Sequence, residues 1–381
     1  MGAAAKGLEA LTNAPLATDG VPVPVTFYAP MKSPDHPTPS GDREIARHLL
    51  TALGAAGARP TLASELRILD LEGDAEDQAR LSALAEAEVA RLVATRAGGA
   101  RLWLTYHCHY KAPDLVGPAV CRALGLPYAI VEPSISPNRR DGPWARFAAA
   151  SEAAIAAADR LFWTTTRDRP GLEAAGLGKR LQHLPPAVEP GPQPARLGQP
   201  AGTPLRLLAV GMMRPGDKVE SYRRLARALP HLPGPWQLEI AGDGPARSEV
   251  EALFTPCAGM SRNDVSVRFR GALEGSAVRT AMEAADLLVW PGVGEGVGMV
   301  WLEAAAAGLP AVAEDGAAAR DVLGAGLLAP GDDPAAFARA IQSAAEDRPA
   351  LSHSARRKIL AHHTPKAMSE TLGQSLAALL R

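Results

Sequence analysis

Long uncharged apolar runs are missing from this sequence. No stretch of about 18 consecutive apolar residues occurs, so no transmembrane helix is indicated. Cysteine is scarce. Cys108, Cys121 and Cys257 make no Cys-x-x-Cys pair and no metal-ligand spacing, a pattern that fits a reducing cytoplasm better than a disulfide framework. Neither sign of charge dominates: 40 Lys+Arg face 41 Asp+Glu, for a formal net charge of −1, and each half of the chain is balanced by itself. Without a basic lobe, bulk nucleic-acid binding lacks its electrostatic footprint. Strong attraction to an anionic membrane is unsupported too, although a local basic patch can sit inside a balanced total. Met1–Gly20 has one Lys, then Glu9, and no long apolar run. It does not read as a signal peptide and is taken as a loose leader.

What is present is a globular composition, 47% hydrophobic and 21% charged over 381 residues. That length predicts two domains. Short apolar runs at Val23–Tyr28, Pro60–Ala63, Leu102–Tyr106, Pro127–Val131 and Arg160–Trp163 alternate with amphipathic, helix-like segments. The pattern returns at Leu205–Val210, Gln237–Ala241, Val265–Phe269, Leu287–Trp290 and Pro310–Ala313. Strand alternating with helix predicts an α/β fold with parallel sheets covered on both faces. Glu189–Pro204, with five prolines and three glycines, reads as a linker. The expected division is a leader over 1–20, a domain over 21–190, a linker over 191–204, a second domain over 205–360 and a terminal helix over 361–381. In doubly wound sheets, ligands bind beyond the carboxyl ends of the strands, so a cleft between the two domains is expected to hold the site.

The strongest motif runs from Pro291 to Pro310. A buried strand is followed by Gly292, Gly294, Gly296 and Gly298, with Glu295 among them, and then by a helix carrying Glu303. Glycines let backbone approach a ligand, and a helix start offers free N–H groups to an anion. A carboxylate in the loop accepts hydrogen bonds from sugar hydroxyls. If wholly helical, Glu295 and Glu303 would stand ~12 Å apart, beyond the ~5–5.5 Å of a retaining hydrolase pair. They read as hooks at two ends of one long ligand. The plainer alternative is a turn with two solvated glutamates. A second loop, Gly211–Lys218, supplies two cations, Arg214 and Lys218. Ser40-Gly41-Asp42 precedes a helix and reads locally as an N-cap. His107 and His109 share one strand face. Zinc is one reading of that pair, without a visible third ligand; a packed or a surface histidine is another.

Together these segments resemble the family-4 retaining glycosyltransferases of GT-B fold. Glu295-x7-Glu303 within Glu-Gly-x-Gly…Glu-Ala…Gly-Leu-Pro is similar to that family's signature. The resemblance implies that Glu295 and the amides of Gly296, Val297 and Gly298 contact the transferred sugar. It implies that Glu303 holds the ribose of the nucleotide. Val297 departs from the aromatic of many relatives. Arg214 and Lys218 match the family's diphosphate clamp, with Met212 where an Arg often stands. Arg270-Gly271-Ala272-Leu273 resembles the segment that meets the base, which assigns Gly271 and Leu273 to the donor. Gly41 matches the glycine loop that closes on diphosphate and sugar, and His109, rather than His107, matches the histidine near the donor sugar. No Asp-x-Asp occurs, and the metal-dependent sugar transferases rely on that motif.

The implied fold is two Rossmann-like doubly wound domains. The implied reaction is hexosyl transfer from a nucleotide-sugar, retaining and without metal or other cofactor. His109, Glu295, Arg214 and Lys218 are its catalytic candidates. The acceptor stays open among a glycan, a lipid-linked molecule and a small molecule. The expected location is the cytoplasm, and peripheral membrane contact is left open by Asn138–Phe147, where cations and aromatics mix. The rival readings are a nucleotide-sugar epimerase or hydrolase of the same fold, and a non-catalytic partner protein.

Overall fold

The structure, a computed structural model, describes residues 16, 21–38, 40–191, 203–258, 265–323 and 327–381. Most of the leader and of the proline-rich linker lies outside the described residues. Leu16, within the stretch read as leader, is buried and donates its N–H to the Ala56 carbonyl at 2.9 Å. The chain forms two compact units, one of Met1–Ala187 with Pro365–Arg381 and the other of Val188–Thr364.

The first unit contains β1 (Val23–Tyr28), α1 (Gly41–Ala55), β2 (Ala58–Leu62), α2 (Ala75–Ala94), β3 (Leu102–Cys108), α3 (Gly117–Leu124), β4 (Tyr128–Pro133), α4 (Ala145–Ala157), β5 (Arg160–Trp163), α5 (Arg169–Ala174) and β6 (Leu181–His183). Its strands lie in the order β2-β1-β3-β4-β5-β6, every pair parallel. β3 and β4 are almost wholly buried, as strands covered by helices on both faces must be. The short β6 lacks an apolar run and was not legible as a strand.

The second unit contains β7 (Leu205–Val210), α6 (Asp217–Ala228), β8 (Trp236–Ala241), α7 (Arg247–Ala258), β9 (Val265–Gly271), α8 (Gly275–Ala284), β10 (Leu287–Val289), α9 (Met299–Ala306), β11 (Ala311–Glu314), α10 (Ala317–Leu323), β12 (Leu328–Ala329), α11 (Pro334–Glu346) and α12 (Arg348–His362). Its order is β12-β11-β10-β7-β8-β9, again parallel throughout. The terminal helix, α13 (Pro365–Ala377), belongs to the first unit and packs on α1.

The two orders differ. In the second unit the sheet grows from β7 outward through β8 and β9, then reverses to place β10 on the other side of β7. In the first unit the reversal falls between β1 and β3. At such a switch point the two following loops run to opposite faces and leave a crevice at the carboxyl ends of the strands. The loops after β7 and β10, and those after β1 and β3, are therefore where each sheet can hold a ligand. Every sequence-nominated residue except Glu303, Gly271 and Leu273 lies on one of these four loops or in the helix turn that follows it.

Candidate functional site

In the second unit, three loops are stitched together at the carboxyl end of the sheet. The N–H of Gly211 donates to the Ala241 carbonyl at 3.0 Å, that of Met213 to Asp243 at 2.9 Å, and that of Gly242 to Gly271 at 2.8 Å. Tyr222 Oη donates to the Gly211 carbonyl at 2.6 Å. These bonds require backbone packed on backbone: a side chain on Gly242 would collide with the Gly211 carbonyl. Gly271 is thereby fixed beside the Gly242 loop, which itself borders the loop that carries Arg214, and Leu273 is half-buried. Arg214 itself is exposed and makes no hydrogen bond or ion pair among the described residues.

Lys218 sits in the first turn of α6 and forms an ion pair with Glu295 Oε1. The same oxygen accepts a hydrogen bond from Trp290 Nε1 at 2.9 Å, and Lys218 Nζ lies 5.5 Å from the Trp290 ring centre. Trp290 is fully buried and closes β10; Gly211 lies flat on its ring, with room for no side chain. One aromatic thus spaces the two switch-point loops and carries both charged groups. Ser221 adds a second tie, accepting the Val293 N–H at 2.9 Å while donating to the Asp217 carbonyl at 2.9 Å. The Asp217 carboxylate fills the space that a side chain on Gly294 would need.

The glycine loop wraps Trp301, whose ring would collide with side chains at Gly292 and Gly298. Gly298 caps α9 at φ 70°, the left-handed region that glycine enters without penalty. The amides of Met299 and Val300 stand at the helix start, before the first intrahelical acceptor, where an anion is favoured. Gly296 is half-buried, whereas Val297 is buried. Glu303 lies half-buried in the second turn of α9.

In the first unit, Ser40 caps α1, its Oγ accepting the Arg43 N–H at 3.3 Å, and Gly41 is exposed at the first helical position. His109 is held in a tight bridge with Ala112, and its Nδ1 accepts the Lys111 N–H at 3.2 Å. Burial, together with the neighbouring His107, Lys111 and Arg167, pushes the His109 pKa well below the ordinary histidine value. The ring is therefore neutral at neutral pH, with its proton on Nε2 as a donor. What fixes this loop is Asp114, fully buried, which accepts from Thr105 Oγ1 at 2.5 Å, Tyr128 Oη at 2.7 Å and the N–H groups of Val116 and Gly117 at 2.9 and 2.7 Å. Burial raises the Asp114 pKa against those bonds.

Several groups here escaped the sequence reading. Glu132 closes β4 in the left-handed region at φ 58°, and His107 on the neighbouring strand does so at φ 67°. Burial pushes the Glu132 pKa up to about 7, with Asp42 and Asp168 adding to the rise and His107 and Arg167 opposing it. Tyr106 faces the Glu132 carboxylate, and burial together with that charge pushes the tyrosine pKa well up; the Asp42 carboxylate lies 3.8 Å from His107 Nδ1. The sequence signal was a glutamate ending an apolar strand, Tyr128-Ala-Ile-Val-Glu132. Asn138–Phe147 folds back on the His109 loop, with Arg139 5.3 Å from the Tyr110 ring centre and 5.1 Å from that of Trp144.

No group of three or more His, Cys, Asp or Glu able to hold a metal occurs among the described residues, and none of their helices is long and apolar enough to cross a membrane.

Two parallel-sheet α/β domains with their functional motifs at the switch points define a GT-B fold. Solved structures agree with that class. Sucrose-phosphate synthase from Thermosynechococcus elongatus superposes with a TM-score of 0.70 at 20% identity, covering 94% of this chain and 99% of its own. The Anabaena protein HepE in complex with UDP superposes with a TM-score of 0.69 at 16% identity, covering 93% and 100%. At these identities the likeness concerns the fold. In sequence, residues 204–347 match the family profile of glycosyl transferases group 1. The D-inositol 3-phosphate glycosyltransferase 1 of Catenulispora acidiphila is 30% identical over 298 residues, 71% of this chain and 70% of that protein. The D-inositol 3-phosphate glycosyltransferase of Streptomyces avermitilis is 28% identical over 270 residues, 66% of this chain and 57% of that protein. The chain belongs to the glycosyl transferases group 1, the family-4 type of GT-B glycosyltransferase.

Proposed function

We propose that this protein transfers a hexosyl group from a nucleoside-diphosphate sugar to a hydroxylated acceptor, with retention of configuration and without a metal. The observation that carries this reading is the Lys218–Glu295–Trp290 constellation at the switch point of the second unit, inside the segment that matches the family.

The chemistry follows from charge. A diphosphate leaving group gains negative charge as the glycosidic bond breaks, and fixed cations that meet that charge lower the barrier. Arg214 is free for this role, and Lys218 stands in the first turn of the helix that follows the same loop. Lys218 is shared with Glu295, so a diphosphate that takes over the ammonium group frees the carboxylate for sugar hydroxyls. The amides at the start of α9 supply further positive field. Glu303 is assigned to the ribose hydroxyls, and Gly271 and Leu273 to the base. His109, neutral with Nε2 as donor, is assigned a hydrogen bond to the sugar, and Gly41 a close backbone approach. No carboxylate is assigned as nucleophile; the leaving phosphate is proposed to receive the acceptor proton on the same face.

Incubation with a panel of nucleotide sugars, followed by measurement of released nucleotide, tests the proposal. Release from at least one nucleoside-diphosphate sugar is expected. No release from any of them, with the protein folded, would overturn the enzymatic reading in favour of a non-catalytic binding protein. Conversion of one nucleotide sugar into another without release would favour an epimerase.

A further inference from the structure

One large aromatic stands in the helix that follows the glycine loop, and both ends of the loop lie on it. Trp301 is the only ring in α9, Met-Val-Trp-Leu-Glu-Ala-Ala-Ala. It is 1% exposed, and its Nε1 is buried without a hydrogen-bond partner. Buried indole donors are usually paired, so an unpaired one marks a ring kept for its shape and reach. A side chain on Gly292 would meet Trp301 Cζ2 and Cη2, and one on Gly298 would meet Cε3 and Cζ3. Those four carbons are the outer edge of the indole. Gly292 and Gly298 are both in left-handed backbone, at φ 76° and 70°, which glycine adopts without strain.

The contact continues to Glu295. Its N–H donates to the Gly292 carbonyl at 3.3 Å, and a Cβ on Gly292 would stand 3.3 Å from Glu295 Cγ. Glu295 is thus held at two ends. Trp290 Nε1 and Lys218 fix its carboxylate. Gly292, lying on Trp301, fixes its backbone and the start of its side chain. A loop with glycine at every second position has few side chains with which to hold its own shape. Its neighbours supply that shape: the two tryptophans, and α6 through Ser221 and Asp217. Among these supports, the Trp301 side chain carries no hydrogen bond. Shortening it therefore moves Glu295 without removing any of Glu295's partners.

We propose that Trp301 is a positioning residue for the transferred sugar: its outer ring edge sets the height of Gly292 and Gly298 and, through Gly292, the place of the Glu295 carboxylate. This rests on the transferase reading, which assigns Glu295 to the sugar hydroxyls. Phenylalanine at 301 keeps an aromatic ring in the core but withdraws that outer edge. The loop then loses its floor, while Arg214, Lys218 and Glu303, the groups assigned to the nucleotide, keep their places. Trp301→Phe acts on recognition of the sugar and spares recognition of the nucleoside diphosphate.

The test uses the full chain as wild type, Trp301→Phe, Glu295→Ala and the double variant. Calorimetry without acceptor measures binding of UDP-glucose, UDP-N-acetylglucosamine and GDP-mannose, and of UDP and GDP. For a nucleotide sugar that the wild type binds, Trp301→Phe is expected to lose about tenfold in affinity, the size of one charge-assisted hydrogen bond, with the matching diphosphate changed less than about twofold. The double variant is expected to match Glu295→Ala alone, because a residue that acts through Glu295 then has nothing to position. Equal sugar-nucleotide affinity in wild type and Trp301→Phe overturns the assignment of Trp301. So do equal losses for sugar nucleotide and diphosphate, or losses that add in the double variant, which mark a side chain that only packs. Trp301→Met, a flexible filler without that ring edge, takes the place of Trp301→Phe if the latter does not fold. If the wild type binds none of the nucleotide sugars, the transferase reading falls and the role of Trp301 with it. If it binds one and Trp301→Phe binds it equally, the role of Trp301 falls alone.

Discussion

The two units carry their chemistry at the carboxyl ends of similar parallel sheets, yet they satisfy it in opposite ways. At the β7/β10 switch point of the second unit, the charged groups Lys218 and Glu295 answer each other, and Trp290 holds the carboxylate from a third side. Glycines make the close approaches, so little strain is needed. At the ends of β3 and β4 in the first unit, His107 and Glu132 are bulky residues in left-handed backbone, and Glu132 is a buried carboxyl with no cation bound to it among the described residues. The first arrangement is an electrostatic frame whose charges are paired with each other. The second is a set of polar groups held ready by a separate support, the buried Asp114 network.

The sharpest way to break this comparison is to remove the cations of the second unit. Lys218→Ala and Arg214→Ala are each expected to lower kcat by on the order of 10²–10³, the loss seen when one preorganised donor is removed from a developing anion. Arg214→Lys should recover little, since a point charge does not replace a planar fork. Glu295→Ala should separate the two functions of the frame: nucleoside diphosphate affinity is kept, because Lys218 no longer has a competing partner, while turnover falls. Steady-state kinetics with calorimetric nucleotide binding checks all four variants. Wild-type kcat and donor KM in both cation variants would show that this loop is not the phosphate clamp.

The support under the first unit makes the next prediction. Asp114→Ala leaves Thr105, Tyr128 and two backbone N–H groups without their acceptor inside the core. A loss of about 3 kcal/mol or more is expected from chemical denaturation. A loss below about 1 kcal/mol would mean that the network is not what holds the His109 loop.

Glu132 sharpens the contrast through pH. Its carboxyl is raised to about 7 from an ordinary 4.5, by burial first, then by Asp42 and Asp168, against His107 and Arg167. A carboxyl raised on folding contributes stability that is complete below its unfolded pKa and lost as pH rises through the folded one. The wild type should therefore lose stability between about pH 4.5 and 7, by roughly 3 kcal/mol at most for the rise to about 7. Glu132→Gln, which never ionises, should be the more stable protein at pH 8 and gain nothing at pH 4.5. Denaturation midpoints at the two pH values decide it; an equal difference at both would show that Glu132 does not titrate in this range.

How much of this could be read beforehand depended on where the signal was written. The central strands were legible because helices cover both their faces, leaving near-continuous apolar runs such as Leu102–Tyr106 and Leu287–Trp290. The edge strands β6 and β12 carry no such run. The glycine loop was legible because its demands are local: each glycine answers a neighbour within the motif or the loop beside it. The pairing of Lys218 with Glu295 was not, since 77 residues separate them and only the adjacency of β7 and β10 joins the two loops. Glu132 was missed for the same reason. A glutamate at a strand end looks like a solvated terminus until the register of three strands buries it.

A smaller effect is expected at Glu303. Glu303→Ala should weaken nucleoside diphosphate binding about tenfold without unfolding the protein, the cost of about one hydrogen-bonded ribose contact. Unchanged calorimetric affinity would remove the ribose assignment.

The smallest effect predicted is none at all. Treatment with EDTA should leave turnover unchanged, and added Mg or Mn should not raise it. The argument is one of charge supply. A diphosphate brings about two negative charges, and the metal-dependent transferases meet them with a divalent ion held by Asp-x-Asp, a motif this sequence lacks. At the β7/β10 switch point, the carboxylates that approach the loops are already engaged: Glu295 with Lys218 and Trp290, Asp217 against Gly294. Arg214 and Lys218 together supply the two positive charges a bound ion would bring, and the first amides of α9 add partial charge. If EDTA abolished turnover and a divalent ion restored it, the cation pair would be insufficient. The frame of the second unit would then need a carboxylate ligand not among those placed here.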